Sequence, residues 1–211
     1  MSAYKFTFKH EGHTMFDCYL NAYICQAINK NGTRCKRTTT IGTPYCYSHL
    51  LHIKHLKIKQ STIPNAGKGV FAIDPKKGVN EVVFKKGENI APYMGELLTN
   101  EELENRYDNL TAPFGLNVSK TQNRDAACDR GIGSLINHRP TAQANVKFSV
   151  NPQNKTVSIK AIKNIRNGEE LFANYSRAYK FNENTTYTTK MSKIKCKDCK
   201  KDTGPRNTKK N

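Results

Sequence analysis

Residues 134–148 read SLINHRPTAQANVKF. An apolar run ends in the pair Asn137–His138, Pro140 follows, a small polar loop comes next, and Val146 and Phe148 open an alternation of strand period. Taken alone, an Asn-His pair beside a proline is a turn that carries a surface histidine. Its meaning depends on what the rest of the chain brings to it.

Outward from this stretch the apolar runs stay short and rich in β-branched or aromatic residues: GVFAI (69–73), ENIAPYM (88–94), FGLNV (114–118), NVKFSVN (145–151), TVSIKAI (156–162) and ELFANY (170–175). Turn residues separate them, which predicts a mainly β fold. NPQNK (151–155) lies between two alternating segments and reads as a hairpin loop. Thr99 with Glu102 three residues later is a capping box, and it places a helix at about 100–108. No internal repeat is visible.

The chain has 211 residues, 36% of them hydrophobic, and a mean hydropathy of −0.72, which fits one ordinary domain with a smaller appendage and polar ends. Composition divides it into residues 1–60, with four of the seven cysteines and five of the six histidines, a core at 61–180, and a polar, basic, flexible tail at 181–211. The formal charge of +18 draws in nucleic acid, acidic protein surfaces or nucleosome-like particles, and charge alone does not choose among them. No run approaches a membrane span and MSAYKFTFKHEGHTMF lacks the apolar core of a signal peptide, so an intracellular protein with no membrane partner is expected. In that setting seven cysteines favour metal binding or free thiols over a disulfide framework.

The spacing Cys25-x9-Cys35-x10-Cys46-x2-His49 offers three thiolates and an imidazole, the ligand mixture of a closed structural zinc site. A segment this short needs such a staple to fold; without the metal the same residues would be buried free cysteines. Lys30, Arg34, Lys36 and Arg37 between the ligands either touch nucleic acid or form a solvated face. Cys196-x2-Cys199 is half a site and would need a partner such as Cys18 or Cys128.

PNAGKGV (64–70) is not a phosphate loop, since no Ser or Thr follows the lysine, and the strand-like GVFAI after it excludes a dinucleotide-binding turn. Gly67 and Gly69 instead let a ligand lie close against exposed backbone groups.

Three segments fall together at this point. AGKGVFAIDPKKGVNEVVFKKGENIAPYMGE (66–96), SLINH (134–138) and IRNGEELFANYS (165–176) resemble, in order and spacing, the blocks of the SET domain of protein lysine methyltransferases. The stretch CQAINKNGTRCKRTTTIGTPYCYSHL is similar to small zinc modules proposed to bind DNA. The resemblance implies several small curved sheets with a C-terminal pseudoknot, and an N-terminal zinc-binding module beside them. The minimal core looks most like virally encoded SET proteins.

By resemblance, Tyr175 is the catalytic tyrosine. The backbone of Asn137 and His138 would hold the adenine edge of S-adenosylmethionine, that of Lys68 and Gly69 its amino-acid end, and Tyr175 would border the same site. Tyr179 and Phe181 would line the substrate lysine channel. Ala173, where many relatives carry Phe or Tyr, would leave room for di- or trimethylation. Glu96, Glu101, Glu102, Glu104, Asp125 and Asp129 are expected to place acidic contacts around the groove for a basic tail. The pattern departs from the family at Ser134–Leu135 and Arg139–Pro140, and the counterpart of the following Asn is Asn145 after a longer loop. Loss of the family's cysteine there argues against a C-terminal zinc site.

The leading expectation is an S-adenosylmethionine-dependent protein-lysine methyltransferase with structural zinc, acting on a histone tail or another basic chromatin or virion protein. DNA or a nucleosome is a further partner for its basic surface, and its location is the nucleus or chromatin, in a host cell or a virion if viral. The alternative, from a different class, is a zinc-dependent nucleic-acid or chromatin-binding protein with a catalytically inactive SET-like core.

Overall fold

The computed structural model describes residues 2–11, 13–39, 41–175 and 188–195. The chain opens with the strands β1 (Ser2–His10) and β2 (His13–Asn21), followed by a short pair, β3 (Tyr23–Ile24) and β4 (Thr38–Thr39), and the helix α1 (Tyr47–Lys54). Next come β5 (Leu56–Gln60), β6 (Lys68–Ala72), β7 (Val82–Phe84), β8 (Asn89–Tyr93), β9 (Glu96–Thr99) and the helix α2 (Asn100–Tyr107). The last part holds β10 (Gly115–Asn117), β11 (Gln122–Asp125), a 3-10 turn at Ile132–Leu135, β12 (Asn137–His138), β13 (Val146–Asn151), β14 (Thr156–Ala161), β15 (Ile165–Arg166), β16 (Phe172–Ala173) and β17 (Thr188–Lys195). The fold is mainly β, in several small sheets, as expected.

Local signals act as read. The capping box closes from both sides: the Glu102 amide donates to Thr99 Oγ1 at 3.1 Å and the Thr99 amide to Glu102 Oε2 at 2.7 Å. The helix then stops after Tyr107, where Asp108 turns into the left-handed region. β13 and β14 form the antiparallel hairpin around NPQNK, with Asn151 opposite Thr156. Their inward residues Val146, Val157, Ile159 and Ala161 join Leu56, Val70, Phe84, Ile136 and Leu171 in one core, whose burial is the main driving force of the fold.

Residues 1–60 divide differently from the sequence reading. β1 pairs with β2 and with β17, in the order β17–β1–β2, and buries Phe6, Phe8, Cys18 and Leu20 against Tyr107 of α2 and Ala127. Period-2 alternation gives this sheet one apolar face, and α2 with the segment after β11 covers it. The cysteine-rich segment keeps a separate small cluster of Cys25, Ala27, Cys35 and Cys46. β5 belongs to the core, paired with β6 from Leu56↔Ala72 to Gln60↔Lys68.

Two further expectations change. Thr188–Lys195, read as part of a flexible tail, is a strand along β1. Main-chain pairing needs no apolar composition, so a polar, basic stretch gives little sign of it. Cys18 and Cys128, read as free thiols or spare metal ligands, form a disulfide across 110 residues, which also removes both as partners for Cys196 and Cys199. Those two cysteines lie outside the described residues.

Candidate functional site

SLINH is built as an anchor followed by a presentation. Ile132 and Ile136 are buried in the core, and the short turn between them delivers Asn137 and His138 half-exposed on β12. β12 pairs in parallel with β16, and β16 pairs on its other side with β13. The connection 139–145 joins the strands on either side of β16 and therefore has to cross it. The crossing is pinned at both ends: the Arg139 amide donates to Ala173 O at 3.0 Å and the Asn145 amide to Phe172 O at 3.0 Å. Asn145 also uses its side chain twice, donating from Nδ2 to Glu170 O and accepting at Oδ1 from the Phe172 amide, each at 2.8 Å.

Beside this crossing lies an open groove of about 1280 Å³. Lys68, Asn137, His138 and Tyr175, expected from the sequence to share a site, all line it. Gly69 does not; it sits buried under the rim, facing the Glu170 carboxylate. Ala173 is fully buried between its neighbouring strands and does not line the groove either, because it is too short to reach from that central position. Tyr179 and Phe181 lie outside the described residues.

The rings that do line the groove are Tyr93, Phe114, Phe148 and Tyr175. Phe148 stands 5.3 Å from the Tyr93 ring and 6.2 Å from the Tyr175 ring, centroid to centroid. Sequence reasoning missed the first three as site residues, since strand alternation marks them only as core.

Tyr175 is oriented by two bonds. Its hydroxyl donates to Ile136 O, and its amide donates to His138 Nδ1 at 3.1 Å. The second bond requires an unprotonated Nδ1, and burial, with the Arg139 charge second, pushes the His138 pKa below its ordinary value. Having given its one proton to Ile136, the phenol can only accept from any further partner.

Glu170 closes the other side. It accepts from Ser61 Oγ at 2.7 Å, the Thr62 amide at 2.7 Å, Thr62 Oγ1 at 2.6 Å and Asn137 Nδ2 at 3.2 Å. Burial alone would raise its pKa, but the donors on Thr62, Ser61 and Asn137 outweigh it and hold the carboxylate ionised. Asn137 Nδ2 also donates to Lys68 O at 3.1 Å, so one amide ties the Asn-His segment to both Glu170 and the GKG strand. The acidic residues expected around the groove do not line it. Asp125 is fully buried and, with Glu96, binds Arg106 at 2.8 and 2.6 Å, while Glu102 is spent on its helix cap.

A second cluster lies in the N-terminal segment. The ligand atoms of Cys25, Cys35, Cys46 and His49 all lie within 4.8 Å of one another. His49 Nδ1 is 3.5 Å from Cys25 Sγ and 3.4 Å from Cys46 Sγ. Cys46 caps α1 and His49 follows within its first turn, which puts both donors on one side of the helix start. Burial pushes the Cys25 thiol up, whereas at Cys46 contacts from His49, Cys25 and Cys35 overcome burial and bring the thiol down to about 7. The four donors could close tetrahedrally round a metal ion.

The family model for the SET domain matches residues 79–176. These residues form a SET domain. Its matched span contains the Asn-His segment, the crossing and Tyr175. Solved structures similar to this chain include an inhibitor-bound humanized mutant of Chaetomium thermophilum Polycomb Repressive Complex 2, with 26% identity, 59% of this chain, 15% of that chain and a TM-score of 0.47. Another is ctPRC2 in an autoinhibited conformation bound to S-adenosylmethionine, with 24% identity, 71% of this chain, 17% of that chain and a TM-score of 0.47. The match thus spans about a sixth of those chains. Among curated proteins none matches. No helix among the described residues is long and apolar enough to cross a membrane.

Proposed function

We propose that the chain is an S-adenosylmethionine-dependent protein-lysine N-methyltransferase with a structural zinc module. The observation that carries this reading is Tyr175, an acceptor phenol oriented by Ile136 and His138 in a groove that Lys68 and Asn137 also line.

The groove fits the cofactor. Gly67, Lys68, Asn137 and His138 line it, and its volume exceeds that of an ordinary small-molecule pocket, leaving space for a peptide beside the cofactor. Bound there, S-adenosylmethionine supplies an electrophilic methyl group. Lys68 would hold its amino-acid end, with Gly69 buried behind it, and Asn137 and His138 its adenine edge. The chain's own work is positioning: Tyr93, Phe148 and Tyr175 desolvate a target amine and so favour its neutral form, and the Tyr175 oxygen accepts from that amine and orients its lone pair. The aromatic walls tolerate a methylated ammonium by cation–π attraction.

Zinc fits the Cys25, Cys35, Cys46 and His49 donors. The S···N distances of 3.4 and 3.5 Å match the edge of a tetrahedron with Zn–S of about 2.3 Å and Zn–N of about 2.0 Å. The metal there supplies folding energy.

A histone or another chromatin-associated protein is the substrate to test first, with a nuclear, chromatin-associated location. One observation favours a nucleic-acid partner for the metal module as well. Between Asp17 and Asp74 the chain has eight Lys and Arg and no acid. A hollow of about 590 Å³ beside His49 is lined by Arg34, Lys36, Arg37, Thr33 and Ser48, groups that suit phosphate oxygens.

The test is transfer of labelled methyl from S-adenosylmethionine to a panel of core histones and nuclear-extract proteins, run beside Tyr175→Phe. Label that falls by about a hundredfold or more in the variant supports the enzyme. Failure to bind the cofactor at all returns the chain to the second class, a zinc-dependent binding protein with an inactive core.

A further inference from the structure

Among the described residues, four cations line the Tyr175 groove, Lys68, Arg130, Arg139 and Lys147, and no aspartate or glutamate does. None of the four stands in a salt bridge among the described residues. Of the neighbouring acids, Glu170 is held by Ser61, Thr62 and Asn137, and Glu96 and Asp125 pair with Arg106, the Asp125 charge also reaching Arg130 without a salt bridge to it.

Two of the cations are held in place by rings. The Arg130 guanidinium carbon lies 4.8 Å from the ring centroids of both Phe6 and Phe114 and 5.8 Å from Phe8, and that of Arg139 lies 5.5 Å from Phe172. Stacking fixes these charges without neutralising them, and a guanidinium stays protonated even when buried. The third observation is on the hairpin. Lys147 of β13 stands directly opposite Lys160 of β14, an antiparallel like-charge pair that costs stability. An anion lying over the pair would relieve that cost.

A segment entering the groove meets this field partly sheltered from water, where charges act more strongly than in bulk solvent. Resting on the methyltransferase reading above, we infer that the groove selects a lysine flanked by aspartate or glutamate and rejects one embedded in a run of Lys and Arg. A histone would then be modified in an acid-containing segment and not in its basic tail. Lys147 and Arg139 are the specificity-determining side chains, and the same field favours the neutral form of the target amine.

The experiment measures binding of three fluorescent peptides to the full chain, identical except that the central lysine is flanked by Glu, Gln or Arg. The Glu peptide binds at least about tenfold more tightly than the Arg peptide at low salt, the gap shrinks at high salt, and Lys147→Glu, an exposed substitution, narrows it further. Equal or tighter binding of the Arg peptide overturns the inference, as does a preference that neither salt nor Lys147→Glu changes. Methyl transfer to the same peptides separates the two readings. Absence of label on every peptide counts against the methyltransferase, while the order of binding still decides the charge selection.

Discussion

The Glu170 carboxylate lies where a side chain on Gly69 would begin, inside contact distance of a Cβ built at that position. The glycine is therefore required by its neighbour: the carboxylate reaches Ser61, Thr62 and Asn137 across space that any other residue at 69 would fill. Gly69→Ala has to displace Glu170 from these donors. Charged hydrogen bonds of this kind contribute about 1.5–3 kcal/mol each, so the variant is expected to lose roughly 2–4 kcal/mol of stability and most of its affinity for the cofactor. Thermal melting and calorimetric titration check this; a variant that melts and binds like the parent refutes the role of the contact.

Asn145 brackets the backbone of residues 170–172 from within the crossing. Its side chain is 5% exposed, and truncation to alanine leaves the Glu170 carbonyl and the Phe172 amide without these partners. Asn145→Ala should cost roughly 2–4 kcal/mol in urea unfolding and speed proteolysis at the 139–145 loop. Asn145→Asp keeps the acceptor for Phe172 but loses the donor for Glu170 and buries a charge, so it is expected to be no better.

His138 makes the site sensitive to acid. Its pKa in the folded chain lies below the ordinary 6.5, and its Nδ1 must be unprotonated to accept from the Tyr175 amide. Above 6.5 the imidazole is neutral folded or unfolded and contributes no pH dependence. As pH falls through 6.5 the unfolded chain takes up a proton that the folded one resists, so stability declines until the folded pKa is passed. Melting temperature is expected to fall below pH 6.5 in the parent and to fall less in His138→Gln. Parallel pH profiles for the two proteins would show that another group is responsible.

Metal removal should act on the N-terminal segment and reach the core through α1. Leu50 and Ile41, which flank Cys46 in sequence, are buried in the main core, whereas Cys25, Cys35 and Cys46 form their own cluster. A strong chelator is expected to expose three reactive thiols, release close to one zinc per chain and lower the melting temperature without abolishing the core transition. Thiol titration with metal analysis checks it. Loss of all cooperative unfolding would mean that the core cannot stand without the metal.

Much of this protein is local and can be read residue by residue. Alternation set the strands from Val70 to Ala161, Thr99 and Glu102 set the start of α2, and the GKG, SLINH and GEELFANY blocks named the groove because their order along the chain survives folding. The β1–β2 hairpin, which buries Phe6, Phe8, Cys18 and Leu20, was not read from the sequence, where residues 1–60 stood as one cysteine-rich module. Whatever depends on which distant surfaces meet had to come from the tertiary structure. The Cys18–Cys128 bond, the strand at Thr188–Lys195, the rings of Tyr93, Phe114 and Phe148 in the groove with Tyr175, and the absence of acids among the described residues that line it are of this kind. Hydrogen-bonding pattern, cap chemistry and side-chain period act over a few residues, so sequence determines them directly. Contacts between segments a hundred residues apart are selected by the packing of the whole core, and that packing decides which charges face the groove and which are turned inward.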